Sequence, residues 1–290
     1  TGLAIMPIRC FGTTAQKEKY LPGLVSGQTV GAYCLSESRS GSDALAAKTR
    51  ADRQPDGSFV LNGEKMWITN GTIADVALVW AKDDDGVVRG FLIEKGMEGF
   101  SAPEQHGKLS LRASITSELV LENVRVPDSA RLPNVEGLKG PLSCLTQARY
   151  GITWGVIGAA VDCYETALDY SLQRKQFSKP IAGYQMTQAK LVEMLTHITE
   201  AQLLVLRLGR MKDEGTMDFS QVSMAKRANV AMARDIARTS REILGANGII
   251  DDYSPIRHMA NMETVYTYEG THEMHTLILG EKITGHSAFD

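Results

Sequence analysis

The sequence has few cysteines, no long apolar run and little net charge. Its four cysteines are Cys10, Cys34, Cys144 and Cys163, and none of them stands in a C-x-x-C pair. This pattern argues against a disulfide framework and predicts reduced packing residues in a reducing compartment. No apolar run approaches the roughly 20 residues that span a bilayer. The formal net charge of -3 gives no support for binding to nucleic acid or to an acidic membrane.

The chain does have length and an ordinary globular composition. Its 290 residues are 43% apolar and 22% charged, which is typical of a globular protein with a large core. The hydrophobic period changes twice along the chain. We therefore predict helices over residues 1–30, strands over 31–133 and helices again over 134–290.

The middle region has the pattern of a small β-domain. Strand-like runs cover residues 30–35, 59–61, 65–68, 76–80, 91–93 and 119–126. Asn62-Gly63 stands between two of these runs and is typical of a type I′ turn, so it predicts a hairpin there. Strands at this spacing indicate a small antiparallel barrel or sandwich.

The last region has the pattern of a helical bundle. Apolar residues recur at helical spacing over residues 142–163, 191–208 and 220–244, and a final helix follows Thr271. Four long antiparallel helices with short connections form a bundle.

Tyr268-Glu269-Gly270-Thr271 is the stretch that most suggests chemistry. Thr271 is a good N-cap, and Glu273 suits the positive end of a new helix. Glu269 is therefore expected in a bend, beside a residue without a side chain. A carboxylate near aromatic residues and shielded from water has a raised pKa, which suits a general base for a carbon acid. Taken alone, the stretch also fits a surface glutamate at a helix N-terminus.

His272-Glu273-Met274-His275 invites a zinc interpretation, which we reject. The H-E-x-x-H motif places its two histidines one helical turn apart, whereas one spacer residue is missing here. No plausible third ligand is apparent in the sequence, so no metal site is predicted.

Several other segments are weak signals one by one. Residues 33–43 form a Ser/Gly-rich loop after a strand, which suits phosphate or ring-carbonyl contacts but is more often a plain turn. Trp67 in a strand is more often a core residue. Arg149 beside apolar residues suits a polyanionic ligand or extends to solvent. Gly245 and Gly248 are ordinary helix C-cap signals.

Together with these segments, Tyr-Glu-Gly-Thr resembles the active-site segment of the acyl-CoA dehydrogenases, and the resemblance extends over essentially the whole chain. It implies an α+β acyl-CoA dehydrogenase-like fold, with a central antiparallel β-barrel or sandwich domain at 31–133 and a C-terminal four-helix bundle at 134–290. A helical N-terminal domain precedes the β-domain in that family. Residues 1–30 are expected to be a remnant of it.

The resemblance also implies the site residues. Glu269 matches the base that removes the α-proton of an acyl-CoA thioester. The residues expected to bind FAD are Tyr33, Cys34, Leu35, Ser36, Gly41, Ser42, Trp67, Ile68, Thr69, Arg174, Gln176, Phe177, Gln185, Glu242, Ile243, Leu244, Gly245, Ala246 and Thr271. Those expected to bind the acyl-CoA are Ser42, Leu142, Cys144, Leu145, Thr146, Arg149, Tyr268 and Gly270. The family usually has Thr-Glu-Pro where this chain has Ser36-Glu37-Ser38, so the hydroxyl is kept and the proline is lost.

Within the family, the chain looks most like the glutaryl-CoA dehydrogenases, through residues 89–97, 148–156, 256–263 and 267–289. The implied reaction is α,β-dehydrogenation of glutaryl-CoA with decarboxylation to crotonyl-CoA, with electrons passing to electron-transfer flavoprotein. A homotetramer in the bacterial cytoplasm or mitochondrial matrix is implied, with a role in lysine and tryptophan degradation. Two alternatives remain: another short-chain acyl-CoA dehydrogenase or oxidase of the same clade, and a truncated subunit without catalytic competence.

Overall fold

The computed structural model describes residues 1–288 and divides the chain into two compact units. One unit contains Thr1–Lys108 and Arg112–Leu145, and the other contains Leu109–Leu111 and Thr146–Asp290. The helices of residues 1–30 belong to the same unit as the β-sheet. The three-part division at 30/31 and 133/134 stays a prediction. Phe289 and Asp290, with which the predicted bundle domain ends, lie outside the described residues.

The first unit is built on a seven-stranded sheet. Its strands are β1 Gly31–Cys34, β2 Arg50–Arg53, β3 Phe59–Thr69, β4 Val76–Lys82, β5 Val88–Glu94, β6 Phe100–Ser101 and β7 Thr116–Val126. Their order is β1-β4-β2-β3-β7-β6, and β5 pairs with β4. The β3–β7 and β4–β5 ladders are antiparallel, whereas β4 runs parallel to β1 and β2. The antiparallel pairing expected for this domain is therefore corrected to a mixed sheet at β4.

Strand β4 is buried on both faces, and its residues alternate between two cores. Helices α1 Gly2–Phe11 and α2 Thr14–Ser26 bring Ile8 and Leu24 to one core, which also contains Leu78 and Trp80. Val79 belongs to the other core, formed by the inner faces of the remaining strands. The sheet is thereby covered by the two helices on one side and curls over its own core on the other.

The predicted hairpin at Asn62-Gly63 is wrong, because β3 runs through both residues without turning. The pair forms an irregularity in the β3–β7 ladder, where the Asn62 side chain accepts a hydrogen bond from Asn123 N. A Cβ on Gly63 would lie 2.8 Å from Thr49 Cα, so close approach of the backbone requires glycine here. The turn between β2 and β3 lies instead at residues 54–58.

The second unit is helical. It contains most of α3 Lys139–Gln173, a short β8–β9 hairpin (Lys175–Gln176 and Lys179–Pro180), α4 Gln185–Asp213, α5 Phe219–Ile243, α6 Ser254–Thr267 and α7 His272–Thr284. The predicted helices correspond to α3, α4, α5 and α7, and α6 is an additional helix. Apolar side chains from α3 to α6 share one core. The predicted fold class, a β-domain followed by a helical domain, is confirmed. Among the helices within residues 1–288, none is long and apolar enough to cross a membrane.

Candidate active site

The turn Tyr268–Glu269–Gly270 joins α6 to α7. Helix α6 ends where Tyr268 N donates to Thr264 O, and α7 begins at Thr271, whose hydroxyl accepts from Met274 N. The predicted N-cap is therefore present. Glu269 has φ of 55°, a left-handed conformation that is uncommon for a residue with a side chain. Such a conformation persists only where the surroundings impose it.

Three consecutive carbonyl groups of the turn accept hydrogen bonds from side chains of other helices. Lys226 Nζ, from α5, donates to Tyr268 O at 3.0 Å and to Gly270 O at 2.8 Å. Arg149 Nε, from α3, donates to Glu269 O at 2.8 Å. We call Tyr268, Glu269 and Gly270 the catalytic turn, after the role expected for Glu269, and the side chains that bind its carbonyls the clamp.

His275 of α7 completes the clamp. Its Nε2 lies 3.2 Å from Glu269 O, and the side chain is fully buried. Burial, followed by the nearby Lys226 and Arg149 charges, lowers the pKa of His275 to about 3. The ring is therefore neutral near pH 7, and a hydrogen on Nε2 donates to the carbonyl.

The Glu269 residue is half-buried, and one oxygen of its carboxyl is withdrawn from water. Burial raises its pKa to about 7, against the opposing charges of Arg149 and Lys226. Its Oε2 is buried and has no hydrogen-bond partner among residues 1–288. A carboxylate with an unoccupied acceptor atom and a pKa near neutrality can take a proton from a bound molecule.

Gly270 is required by both space and backbone conformation. Its φ is 87°, and a Cβ there would lie 3.0 Å from His275 Nε2 and 3.4 Å from Arg149 Nη2. The absence of a side chain therefore lets the two clamping side chains approach the turn.

The helix segment expected to meet the acyl-CoA lies at the start of α3. Leu142 is exposed, Leu145 and Thr146 are half-buried, and Cys144 is buried with its thiol pKa raised to about 11 by burial. Arg149, one turn further on, belongs to the clamp. The Cys144 thiol therefore packs inside the protein.

The expected flavin loop follows β1 in the first unit. Met66 N donates to Ser36 O, and Lys65 Nζ donates to Leu35 O, so β3 holds the loop. Lys65 and Glu37 form a buried ion pair at 2.9 Å. Burial alone would raise the Glu37 pKa, but Lys65 and hydrogen bonds from Lys48 and Thr49 lower it to about 2.

The side chains of this segment divide by exposure. Ser42 and Gly41 are exposed, Tyr33, Leu35 and Ser36 are half-buried, and Cys34 is in the core. The Cys34 thiol is therefore a packing group of the core.

Trp67 is turned outwards by an irregularity in β3. The β3–β7 register shifts between Lys65 and Ile68, and Trp67 has φ of 61° with 63% of its side chain exposed. Ile68 is buried and Thr69 exposed. An exposed flat aromatic held in a strained backbone suits stacking against a planar ring. The core position expected for a lone strand tryptophan is not the one observed.

The remaining expected flavin contacts lie at the far end of the helical unit. Arg174, Gln176 and Phe177 are exposed around the β8–β9 hairpin, and Phe177 is 91% exposed. Gln185 begins α4. Glu242 and Ile243 end α5, where Glu242 accepts from Lys190, and Leu244, Gly245 and Ala246 follow that helix. Glu242, Gly245 and Ala246 are exposed, Ile243 is half-buried, and Leu244 is in the core.

These residues are far from the catalytic turn within one chain. Arg149 and Arg174 are 25 positions apart on and just beyond α3, which corresponds to about 37 Å along a helix. The structure therefore brings Arg149, Tyr268, Glu269, Gly270 and Thr271 together and leaves the Arg174 group at the opposite end.

Two residues of the clamp were not found from the sequence. Lys226 lies on the buried stripe of α5, between Val222 and Val230, and a charged residue in an apolar stripe was the available signal. His275 was considered only as a metal ligand. In residues 1–288 no group of three or more His, Cys, Asp or Glu side chains could hold a metal ion.

Comparisons with known proteins match both the β-sheet region and the helical region of the chain. Residues 32–124 match the model "Acyl-CoA dehydrogenase, middle domain", and residues 136–284 match "Acyl-CoA dehydrogenase, C-terminal domain". The mitochondrial isovaleryl-CoA dehydrogenase of Solanum tuberosum is 35% identical over 288 residues, covering 98% of this chain and 70% of its own length.

Solved structures of acyl-CoA dehydrogenases are similar to this chain in fold and in sequence. A glutaryl-CoA dehydrogenase from Mycobacterium smegmatis has a TM-score of 0.97 and 51% identity, covering 100% of this chain and 74% of that one. A second structure from that organism, of a glutaryl-CoA dehydrogenase in complex with FADH2, has a TM-score of 0.97 and 49% identity, with the same coverage.

Proposed function

Because the chain belongs to the acyl-CoA dehydrogenase family, whose members are FAD-dependent oxidoreductases acting on CH–CH bonds, we propose that it dehydrogenates glutaryl-CoA. The product is crotonyl-CoA, formed after loss of the distal carboxyl as CO2. The higher identity to the Mycobacterium smegmatis glutaryl-CoA enzyme than to the plant isovaleryl-CoA enzyme favours this substrate.

The observation that carries the proposal is the Glu269 carboxyl, whose Oε2 is buried and unpartnered among residues 1–288. The α-proton of a thioester is a weak acid, so its base must be both basic and close. Burial supplies the basicity, and the left-handed turn fixes the direction of the side chain. Glu269 takes the α-proton onto a carboxylate oxygen, and Tyr268 and Gly270 bound the acyl site on either side.

The residues of the first unit fit FAD. Trp67 presents an exposed ring, and the loop beside it presents the Ser36 and Ser42 hydroxyls and exposed backbone at Gly41. The bound flavin supplies the two-electron acceptor for the α,β-oxidation. The protein's part is to bind and orient the thioester, exclude water and hold the proton at Glu269.

The division of the flavin residues supports a homo-oligomer. The Arg174 group lies about 37 Å along α3 from the catalytic turn, too far to share one ligand's reactive end in a single chain. An exposed guanidinium suits the pyrophosphate of an FAD bound mainly by another subunit. We propose a homotetramer that passes electrons to electron-transfer flavoprotein in a bacterial cytoplasm or mitochondrial matrix.

A second candidate is dehydrogenation of another short-chain acyl-CoA, favoured by the isovaleryl-CoA relative. A third is a subunit that folds without turning over substrate. The three candidate functions are distinguished by which acyl-CoA, if any, reduces the bound flavin.

The test is an anaerobic titration of FAD-saturated protein with glutaryl-CoA, isovaleryl-CoA and butyryl-CoA, followed by flavin absorbance. Glutaryl-CoA carries a labelled distal carboxyl, so that released CO2 is counted. We expect glutaryl-CoA to bleach the flavin fastest and to release labelled CO2. Glu269→Gln abolishes bleaching, and Glu273→Gln, at an exposed carboxyl on α7, retains it.

Each alternative has its own result. Faster bleaching by isovaleryl-CoA or butyryl-CoA assigns the chain to another short-chain substrate. Bound FAD with no bleaching by any of the three contradicts the proposed activity. Bleaching that survives Glu269→Gln removes Glu269 as the base.

A further inference from the structure

Lys226 is a buried cation with no assigned role, and it lies beneath the catalytic turn. Its side chain is 1% exposed and is contributed by the apolar stripe of α5. It donates to the carbonyls on both sides of Glu269, at 3.0 Å to Tyr268 O and 2.8 Å to Gly270 O. An ammonium group is costly to bury, so an apolar side chain would stabilise this position better if packing were its purpose.

We propose that Lys226 is the positioning residue of the catalytic turn: its two hydrogen bonds hold Glu269 in the left-handed conformation, and its charge stabilises the carboxylate form. This inference rests on the proposed role of Glu269 as base. Lys226 itself acts through the backbone of residues 268 and 270.

The geometry supports a specific role for the two bonds. One ammonium group binds the carbonyl of the residue before Glu269 and that of the residue after it. Lys226 thereby spans the residue that carries the carboxyl, while Arg149 Nε binds the carbonyl of Glu269 itself. Without Lys226, the hydrogen bonds of Arg149 and His275 to Glu269 O remain, but neither ties residue 268 to residue 270.

The charge of Lys226 also favours the ionised form of the Glu269 carboxyl. Burial raises the Glu269 pKa to about 7, and the Arg149 and Lys226 charges oppose that rise. Burial also lowers the Lys226 pKa to about 8, with a contribution from Arg149. The titratable or charged groups around the turn are Arg149 on α3, Lys226 on α5, Tyr268 in the turn, and His272, Glu273 and His275 on α7.

The variant Lys226→Met conserves length and removes both the charge and the donors. We expect the Glu269 pKa to rise by about one unit, because a nearby opposite charge is lost. The rate of flavin reduction at saturating acyl-CoA falls by about 100-fold, the cost of misplacing a catalytic group by about 1 Å. Lys282→Met is the matched control: Lys282 is exposed on α7, and neither quantity changes.

Two readouts are measured on FAD-saturated protein. The protein is labelled with carbon-13 at the Cδ of glutamate, and an NMR titration without substrate gives the Glu269 pKa. The Glu269 signal is the one that is absent in Glu269→Gln. Stopped-flow absorbance gives the rate of flavin reduction. A lysine that only stabilises the fold would lower the melting temperature without slowing flavin reduction in the folded variant.

The NMR titration separates failure of this inference from failure of the proposed activity. If no acyl-CoA reduces the flavin of the unaltered protein, the activity is wrong, and the Glu269 pKa still tests Lys226. An unchanged pKa and an unchanged reduction rate in Lys226→Met overturn the inference. Should that variant not fold, Lys226→Gln is measured instead. Its amide keeps N–H donors but no charge, so we expect the raised pKa with a smaller loss of rate.

Discussion

Replacing Glu269 by Gln is expected to stabilise the protein at alkaline pH and to lose that advantage in acid. The buried carboxyl has a pKa of about 7 in the folded protein, against 4.5 for an ordinary glutamate. The folded state therefore binds this proton more tightly than the unfolded state. Its contribution to stability is fully present below pH 4.5 and is lost as the pH rises through about 7.

The magnitude follows from the difference between the two pKa values. A shift of this size corresponds to about 3 kcal/mol once both forms are ionised. Between about pH 5 and about pH 8, the unaltered protein loses about 2 kcal/mol relative to Glu269→Gln. Glutamine has nearly the same shape and carries no charge, so packing contributes little to this difference.

The assay is urea unfolding of both proteins at equal FAD and protein concentrations across that pH range. Glu273→Gln is the matched control, because hydrogen bonds at the start of α7 lower the Glu273 pKa, and its stability effect has the opposite sign. The reasoning would be refuted if the difference in unfolding free energy between Glu269→Gln and the unaltered protein were the same at acid and at alkaline pH. Such a result would show that ionising Glu269 costs the folded state nothing.

Three further substitutions test the rest of the site. Gly270→Ala, at a φ of 87° and with a Cβ 3.0 Å from His275 Nε2, lowers the unfolding free energy by about 1–2 kcal/mol and slows flavin reduction; an unchanged midpoint in urea contradicts this. Lys65→Met leaves Glu37 buried without its cation, and we expect a loss of about 3 kcal/mol together with weaker FAD retention on gel filtration. Trp67→Ala weakens FAD binding about tenfold in a fluorescence titration, by loss of a stacking contact, without lowering the melting temperature of the FAD-free protein. A tryptophan that merely packs would give the reverse result for both measurements.

Local signals along the sequence predicted much of the fold. The Thr271 hydroxyl accepts a hydrogen bond from Met274 N at the start of α7, so the N-cap was correctly predicted. The hydrophobic period changes from that of strands to that of helices after residue 133, and this change separated the β-sheet region from the helical region. Helix α6 was not predicted, although Met259, Met262 and Tyr266 recur at helical spacing and pack into the helical core.

Asn62-Gly63 shows where local signals fail. The pair favours a tight turn by its own conformational preferences, but β7 pairs with β3 on both sides of it and keeps the strand continuous. Pairing over the whole of β3 outweighs the preference of two residues. The information that decides the matter lies some 60 residues away, at Asn123.

The site itself was partly predictable. Glu269 was identified from its neighbours in the sequence, since Gly270 and Thr271 already indicate a bend before a helix. Lys226 and His275 could be identified only after folding, because they act on the turn from two other helices. Their contacts are with backbone carbonyls, which leave no pairing signal in a sequence.

The most direct test of the central claim is the pH dependence of kcat/KM for flavin reduction by glutaryl-CoA. This ratio reports the ionisation of the free protein, so it measures the carboxyl before substrate binds. We expect it to rise with pH through a midpoint of about 7 and to vanish in Glu269→Gln. A midpoint near that of an ordinary glutamate, or a profile that survives in Glu269→Gln, would contradict a buried Glu269 as the base.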